Sequence, residues 1–191
     1  MDTRSILLAA ALKILEEEGE AKFSTRAVCA IANVTAPTLY HHYGNADGLL
    51  SAAMAEAFAQ FLLSKKAAVQ SLDPIDALRE GWDDYQRFAA ARPRLYAAML
   101  SRVLQGGHIP AAEEAFALLI ERIGAIAAEG RLLPTIEVAA DLIWASANTA
   151  SLLHVTAKLR NVAPPTSAAL ADIRERAMQS ILRSEPEGKS Q

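Results

Sequence analysis

With 191 residues, 52% hydrophobic and 21% charged, and a mean hydropathy of +0.13, the chain has ample apolar surface for a core, which excludes a disordered or collagen-like chain. A net charge of −3 and a pI near 5.8 offer no overall attraction to a polyanion, so any nucleic-acid site has to be local. The lone Cys29 cannot close an internal disulfide, and the opening MDTRSILLAA lacks the apolar core and cleavage site of a secretory signal. The most apolar region, Val138 to Ala157, is interrupted by Asp141, Asn148 and His154, so a cytoplasmic chain without a membrane span is expected.

Forty alanines against 27 β-branched residues favour side chains that lose little rotamer freedom in a helix, and an all-α fold of about nine helices is expected. The first runs from about Thr3, as N-cap, to Glu18, with Leu7, Ala11 and Ile14 on one stripe and Gly19 as the stop. Ser24 caps a two-turn helix over Thr25–Ala32 with Ala27, Val28 and Ile31 at helical spacing, and Asn33 suits a left-handed turn. Thr35 is a good cap for a second short helix through Tyr43, with Pro37 tolerated in its first turn. A long helix from Ala46 to about Ser71 follows, presenting Leu50, Met54, Phe58, Phe61 and Leu62 on one face.

Asp73 and Pro74 introduce a helix to Ala91, and Pro93 opens another to about Gln105. Gly106 to Pro110 reads as a loop; helices over Ala111–Glu129 and Pro134–Lys158 are separated by Gly130, and Pro164 and Pro165 precede the last, Ser167–Arg183. Three regions are expected: a helix-turn-helix domain over 1–45, a helical ligand-binding and dimerisation domain over 46–184, and a polar tail over 185–191.

Two short helices joined by a tight turn after a capping helix form a helix-turn-helix, whose second helix enters the major groove. The second helix, APTLYHHY, offers small or hydrogen-bonding groups at its start and Leu39 toward a core, followed by four polar rings that a core helix would not need. In this stretch, Phe23 to Leu50 (FSTRAVCAIANVTAPTLYHHYGNADGLL), the sequence resembles the TetR (tetracycline repressor) family of transcriptional regulators. Phe88, Ala89, Pro93, Leu95 and Tyr96 resemble the junction of one of its C-terminal subgroups.

The resemblance implies a homodimeric repressor that binds a near-palindromic double-stranded DNA operator and is released by a small apolar effector, with no cofactor, metal or catalytic residue. It places Thr25 and Arg26 at a phosphate and Ala36, Pro37 and Thr38 at base edges. Tyr40 and His42 then hold the backbone, and His41 meets phosphate or base. Where the family commonly has Lys, this chain has Ala46, and residues 1 to 50 hold four basic against six acidic side chains, a balance of −2 that weakens the electrostatic grip. Because histidines gain charge as pH falls through about 6.5, affinity for one duplex should be higher at pH 6 than at pH 8 at constant ionic strength.

Trp82, Tyr85, Phe88, Tyr96, Met99, Phe116, Trp144 and Asn148 are the candidate effector lining, aromatic and Met side chains with few polar groups. Asn148 and His154 on an otherwise apolar helix each need a partner from ligand, water or another subunit. The resemblance assigns the dimer contact to the last two helices, through Ala140, Ala147, Leu170, Ile173, Ala177 and Ile181. Asp83, Asp84 and Asp141 read as solvated or capping charges, and no hydrolase, metalloprotease or nucleotide-binding motif is present. The alternative is a helical small-molecule-binding or protein-interaction module whose DNA grip is weak or lost.

Overall fold

Nine α-helices and one 3-10 turn make up the computed structural model, which describes residues 2–106 and 109–183. The helices are α1 (Thr3–Glu17), α2 (Thr25–Ala32), α3 (Ala36–Tyr43), α4 (Ala46–Ala68), α5 (Pro74–Ala91), α6 (Pro93–Leu104), α7 (Pro110–Ala128), α8 (Ile136–Leu159) and α9 (Ser167–Ile181). The expected tail over 185–191, and Gly107 and His108 of the expected loop, lie outside the described residues. No strand occurs among the described residues; a single antiparallel bridge joins Leu132 to Leu182, just before α8 and just after α9.

The helix ends follow local chemistry, with three corrections. Asp2, rather than Thr3, caps α1, because its carboxylate accepts from the Ser5 amide at 2.7 Å. Gly19 stops the helix as expected: at φ 87° it returns its amide to the Ile14 carbonyl, and a 3-10 turn over Glu20–Lys22 that periodicity did not suggest follows. Thr35 makes no side-chain cap for α3. Its hydroxyl instead lies 3.0 Å from the hydroxyl of Thr38, one turn on.

Packing divides the chain into two units, one of residues 1–63 and 88–112, the other of 64–87 and 113–191. The expected boundary after residue 45 follows a change of motif, whereas packing gathers α6 and most of α4 with the helix-turn-helix. In the first unit α1 packs against α2, α3 and α6, burying Leu7, Ile14 and Leu15 with Val28, Leu39, Leu49 and Leu95. Arg92 reaches Gln60 at 2.7 Å and Glu16 at 3.5 Å.

In the second unit Leu78, Trp82, Ile123, Ile126, Ile143, Met178 and Ile181 form the core, with α8 packed along α9. Two cross-chain ion pairs, Arg79 with Glu175 and Arg174 with Asp83, tie α5 to α9.

The segment Ala46–Ala67 of α4 is by length and composition apolar enough to cross a membrane, with a hydropathy of 1.2, contrary to the expectation that 138–157 was the most apolar stretch. Its Leu49, Met54, Phe58, Phe61 and Leu62 are buried in the protein.

Candidate DNA-reading head and effector core

The candidate reading head is built by four local devices. Ser24 accepts the Ala27 amide at 3.2 Å and starts α2; Asn33, at φ 53° and ψ 47°, takes the left-handed conformation that ends it. The Val34 amide then bonds the Cys29 carbonyl at 3.1 Å, so the chain turns sharply into α3. Leu39, fully buried, pins α3 against the unit, while Tyr43 donates its hydroxyl to the Arg4 carbonyl at 2.8 Å with the Arg4 guanidinium 5.5 Å from its ring. A second tight turn leads to α4: Asn45 accepts the Gly48 amide at 2.8 Å, and only glycine fits at 48 because a Cβ would stand 2.2 Å from the Tyr43 carbonyl oxygen.

The outward side of this scaffold carries the expected contact residues. Arg26, Pro37, Tyr40 and His41 are exposed; Thr25, Ala36, Thr38 and His42 are half-buried beside them. With Thr35 turned to the Thr38 hydroxyl, the first amides of α3 have no side-chain cap, which leaves partial positive charge at the end that points outward. The local charge is less acidic than residues 1–50 suggest. Arg92, Arg94 and Arg102 join the unit through packing, giving seven basic against seven acidic side chains over its residues, and Arg102 approaches Asp47 at 4.0 Å.

The eight expected effector residues divide between the two units. Phe88, Tyr96 and Met99 are buried in the first unit, Phe88 edge-on to Phe61 at 5.0 Å between ring centres. Phe116 and Trp144 are exposed in the second unit. Trp82, Tyr85 and Asn148 do come together, along the contact of α5 with α8. Trp82 donates its indole N–H to Ser146 at 3.0 Å, Tyr85 donates to Asn148 at 2.8 Å, and Asn148 donates to the Trp144 carbonyl at 2.9 Å.

Sequence reasoning missed the next member of that row. Gln86 on α5, 7% exposed, donates to the Ala147 carbonyl at 2.9 Å and to Ser151 at 2.8 Å. It also missed the charges behind it: Asp84, read as solvated, is 3% exposed and bonds Ser64 and Arg87. Lys65 is buried near Gly81 and the Tyr85 ring; burial and the nearby Arg122 cation, partly opposed by Asp84, bring its ammonium down to about 8. An amphipathic period on α5 would have flagged none of these, since their partners lie far along the chain.

A separate cleft of about 280 Å³ lies in the first unit among Ser51, Met54 and Ala55 of α4, Arg102 and Gln105, and Ile109 and Pro110. Arg102 donates to Ser51 within it at 2.7 Å.

Of the expected interface residues, Ala140, Ala147 and Ile181 are buried in the chain's own core, and Leu170, Ile173 and Ala177 pack partly against it. A side chain already enclosed by its own chain offers a partner no surface. Among the exposed residues of α8, Val138, Leu142, Ala145, Thr149, Leu152, Thr156 and Leu159 recur at steps of four and three along one face. Among the described residues no cluster of three or more His, Cys, Asp or Glu is placed to hold a metal.

Residues 7–53 match the family model of bacterial regulatory proteins, tetR family. No curated protein matches the chain. Its fold is similar to that of a protein of unknown function from Rhodococcus sp. RHA1, at 20% identity over 96% of this chain and 97% of that one, with a TM-score of 0.82. It is also similar to a TetR transcription regulator from Haloarcula marismortui ATCC 43049, at 18% identity, 95% and 99% coverage and a TM-score of 0.74. A TetR family transcription regulator from Marinobacter aquaeolei VT8 compares at 16% identity, 95% and 96% coverage and the same score of 0.74. Residues 7–53 are thus similar to the tetR family of bacterial regulatory proteins, and over almost its whole length the chain has a fold similar to that of solved TetR-family transcription regulators.

Proposed function

We propose that the protein is a homodimeric, sequence-specific repressor that binds a near-palindromic operator in the cytoplasm and is released from it by a small apolar effector. The observation that carries this reading is α3 itself. Its buried Leu39 fixes the helix, and its exposed Pro37, Tyr40 and His41 stand on the side free to enter a groove. In this reading Ala36, Pro37 and Thr38 meet base edges, while Thr25, Arg26, Tyr40, His41 and His42 position the phosphates.

The exposed apolar row of α8 supports a two-fold contact with a second copy, which sets two α3 helices about 34 Å apart for successive major grooves. The effector works by binding one of two arrangements of the dimer more tightly than the other. The enclosed polar row between α5 and α8 supports an effector site in the second unit. The chain performs no chemistry in this account.

Selection from random duplex DNA with the purified chain tests the reading. Enrichment of a palindrome with half-sites one helical turn apart supports it. No enrichment from folded, dimeric protein overturns it in favour of a helical small-molecule-binding module, the reading favoured by Ala46 at the start of α4 and by the charge-neutral head.

A further inference from the structure

Among the described residues, two polar atoms of the second unit are enclosed with no hydrogen-bond partner: Gln86 Oε1 on α5 and His154 Nδ1 on α8. The Gln86 side chain is 93% enclosed by its 7% exposure, and the orientation of its amide is not arbitrary. The Ala147 carbonyl can only accept, so it must face the Gln86 NH2, whose second hydrogen goes to Ser151. That leaves Oε1, an acceptor, turned away from both. Ser151, which the Gln86 amide holds, and His154 are one turn apart on the same face of α8. Assigning the imidazole proton to Nε2 makes Nδ1 an acceptor as well.

Two enclosed acceptors call for two donors, because an unsatisfied buried acceptor destabilises the protein that carries it. A carboxylate would place acceptors against acceptors. An ammonium would join the Lys65 and Arg122 cations, which already face the buried carboxylate Asp84 in the same unit, and charges interact strongly at low dielectric. We propose that Gln86 and His154 form the polar end of the effector site and select a neutral head group with two N–H donors, such as a primary carboxamide or a urea. Trp82 and Tyr85, beside Gln86 on α5, receive the apolar body of the molecule. This rests on the reading of the chain as an effector-responsive regulator and adds the chemical class of the effector.

Three probes sharing one ring, benzamide, benzylamine and benzoate, separate the head groups. They are titrated into the full ¹⁵N-labelled chain while the Gln86 side-chain amide and the His154 ring nitrogens are followed. Benzamide should shift both signals saturably, and the other two should bind at least tenfold more weakly. Gln86→Met and His154→Phe should each weaken benzamide by tenfold or more; should either variant misfold, the wild-type signals decide alone. Equal binding of the three probes, binding that leaves both signals still, or no binding of benzamide overturns the proposal and leaves the two atoms satisfied by buried water only. Binding of the selected operator duplex is measured on the same protein before any probe is added, since a bound effector is expected to release it. Loss of duplex binding with benzamide selectivity intact counts against the regulator reading alone, and intact duplex binding without selectivity counts against the head-group assignment alone.

Discussion

The reading head and the α5–α8 core place polar chemistry in opposite settings. In the candidate head, Pro37, Tyr40 and His41 face solvent, and each is aimed by neighbours within 17 residues: the Ser24 cap, the Asn33 turn and the Leu39 anchor. In the core, Trp82, Tyr85 and Gln86 are aimed by partners on α8 more than sixty residues away, and behind them Asp84 and Lys65 are enclosed. A surface whose side chains face solvent can be specified by short-range geometry. An enclosed site has to satisfy every polar atom, so its specification is spread over the elements that close around it.

The largest expected effect breaks the head from inside. Leu39→Ala removes the anchor of α3 and should cost about 2–5 kcal/mol, read as a fall in the urea midpoint, because the cavity cannot fully collapse. A loss below about 1 kcal/mol would mean that α3 is held by its turns rather than by packing.

Next in size is the buried cation of the core. The folded chain holds the Lys65 proton less tightly than the unfolded chain, with the ammonium lowered from 10.5 to about 8. The resulting destabilisation is fully present below pH 8 and fades as pH rises from 8 toward 10.5. Lys65→Met should therefore stabilise the protein at pH 7 by on the order of 2–3 kcal/mol, with the advantage shrinking as pH rises through that window. Chemical denaturation of both proteins at pH 7 and pH 10 checks the sign; an advantage that grows with pH contradicts it.

The head's division of labour is sharpened by a pair of substitutions. Thr38→Ala should cost about 1–3 kcal/mol on the preferred duplex and relax one or two base positions, whereas Tyr40→Phe should weaken all duplexes alike. Because the Thr38 hydroxyl lies 3.0 Å from that of Thr35, Thr35→Val should reproduce part of the Thr38 effect in the same binding titration. A uniform loss for Thr38→Ala would remove its base-reading role.

The smallest expected change concerns the turn. Asn33→Ala should destabilise by about 1 kcal/mol, since its φ of 53° disfavours a Cβ without a local hydrogen-bonding group, while Asn33→Gly should stay within about 0.5 kcal/mol of the parent in thermal melts. Equal losses for both would show that the Asn33 side chain, not its backbone, makes the turn.

Helix number, the start and stop of α2, the left-handed Asn33 and the outward side of α3 were all legible in the sequence, because capping, turn conformation and helical period are set within a few residues. Less visible were the cap at Asp2, one residue early, and the engagement of Thr35 with Thr38, where two hydroxyls compete for one role. Hidden altogether was the use of the polar residues of α5. Periodicity marks Gln86 and Asp84 only as polar, and nothing nearby says that Ala147 and Ser151, or Ser64, will close on them.

What the sequence by itself determined was the succession of helices and the exposed chemistry of α3, both consequences of local backbone preference. Only the tertiary structure decided that Ala140, Ala147 and Ile181 are enclosed by their own chain while Val138, Leu142 and Leu152 stay exposed. Only it, too, left Gln86 Oε1 and His154 Nδ1 enclosed without a partner. Burial and hydrogen-bond satisfaction are properties of several elements packed at once, and no window of local sequence contains them.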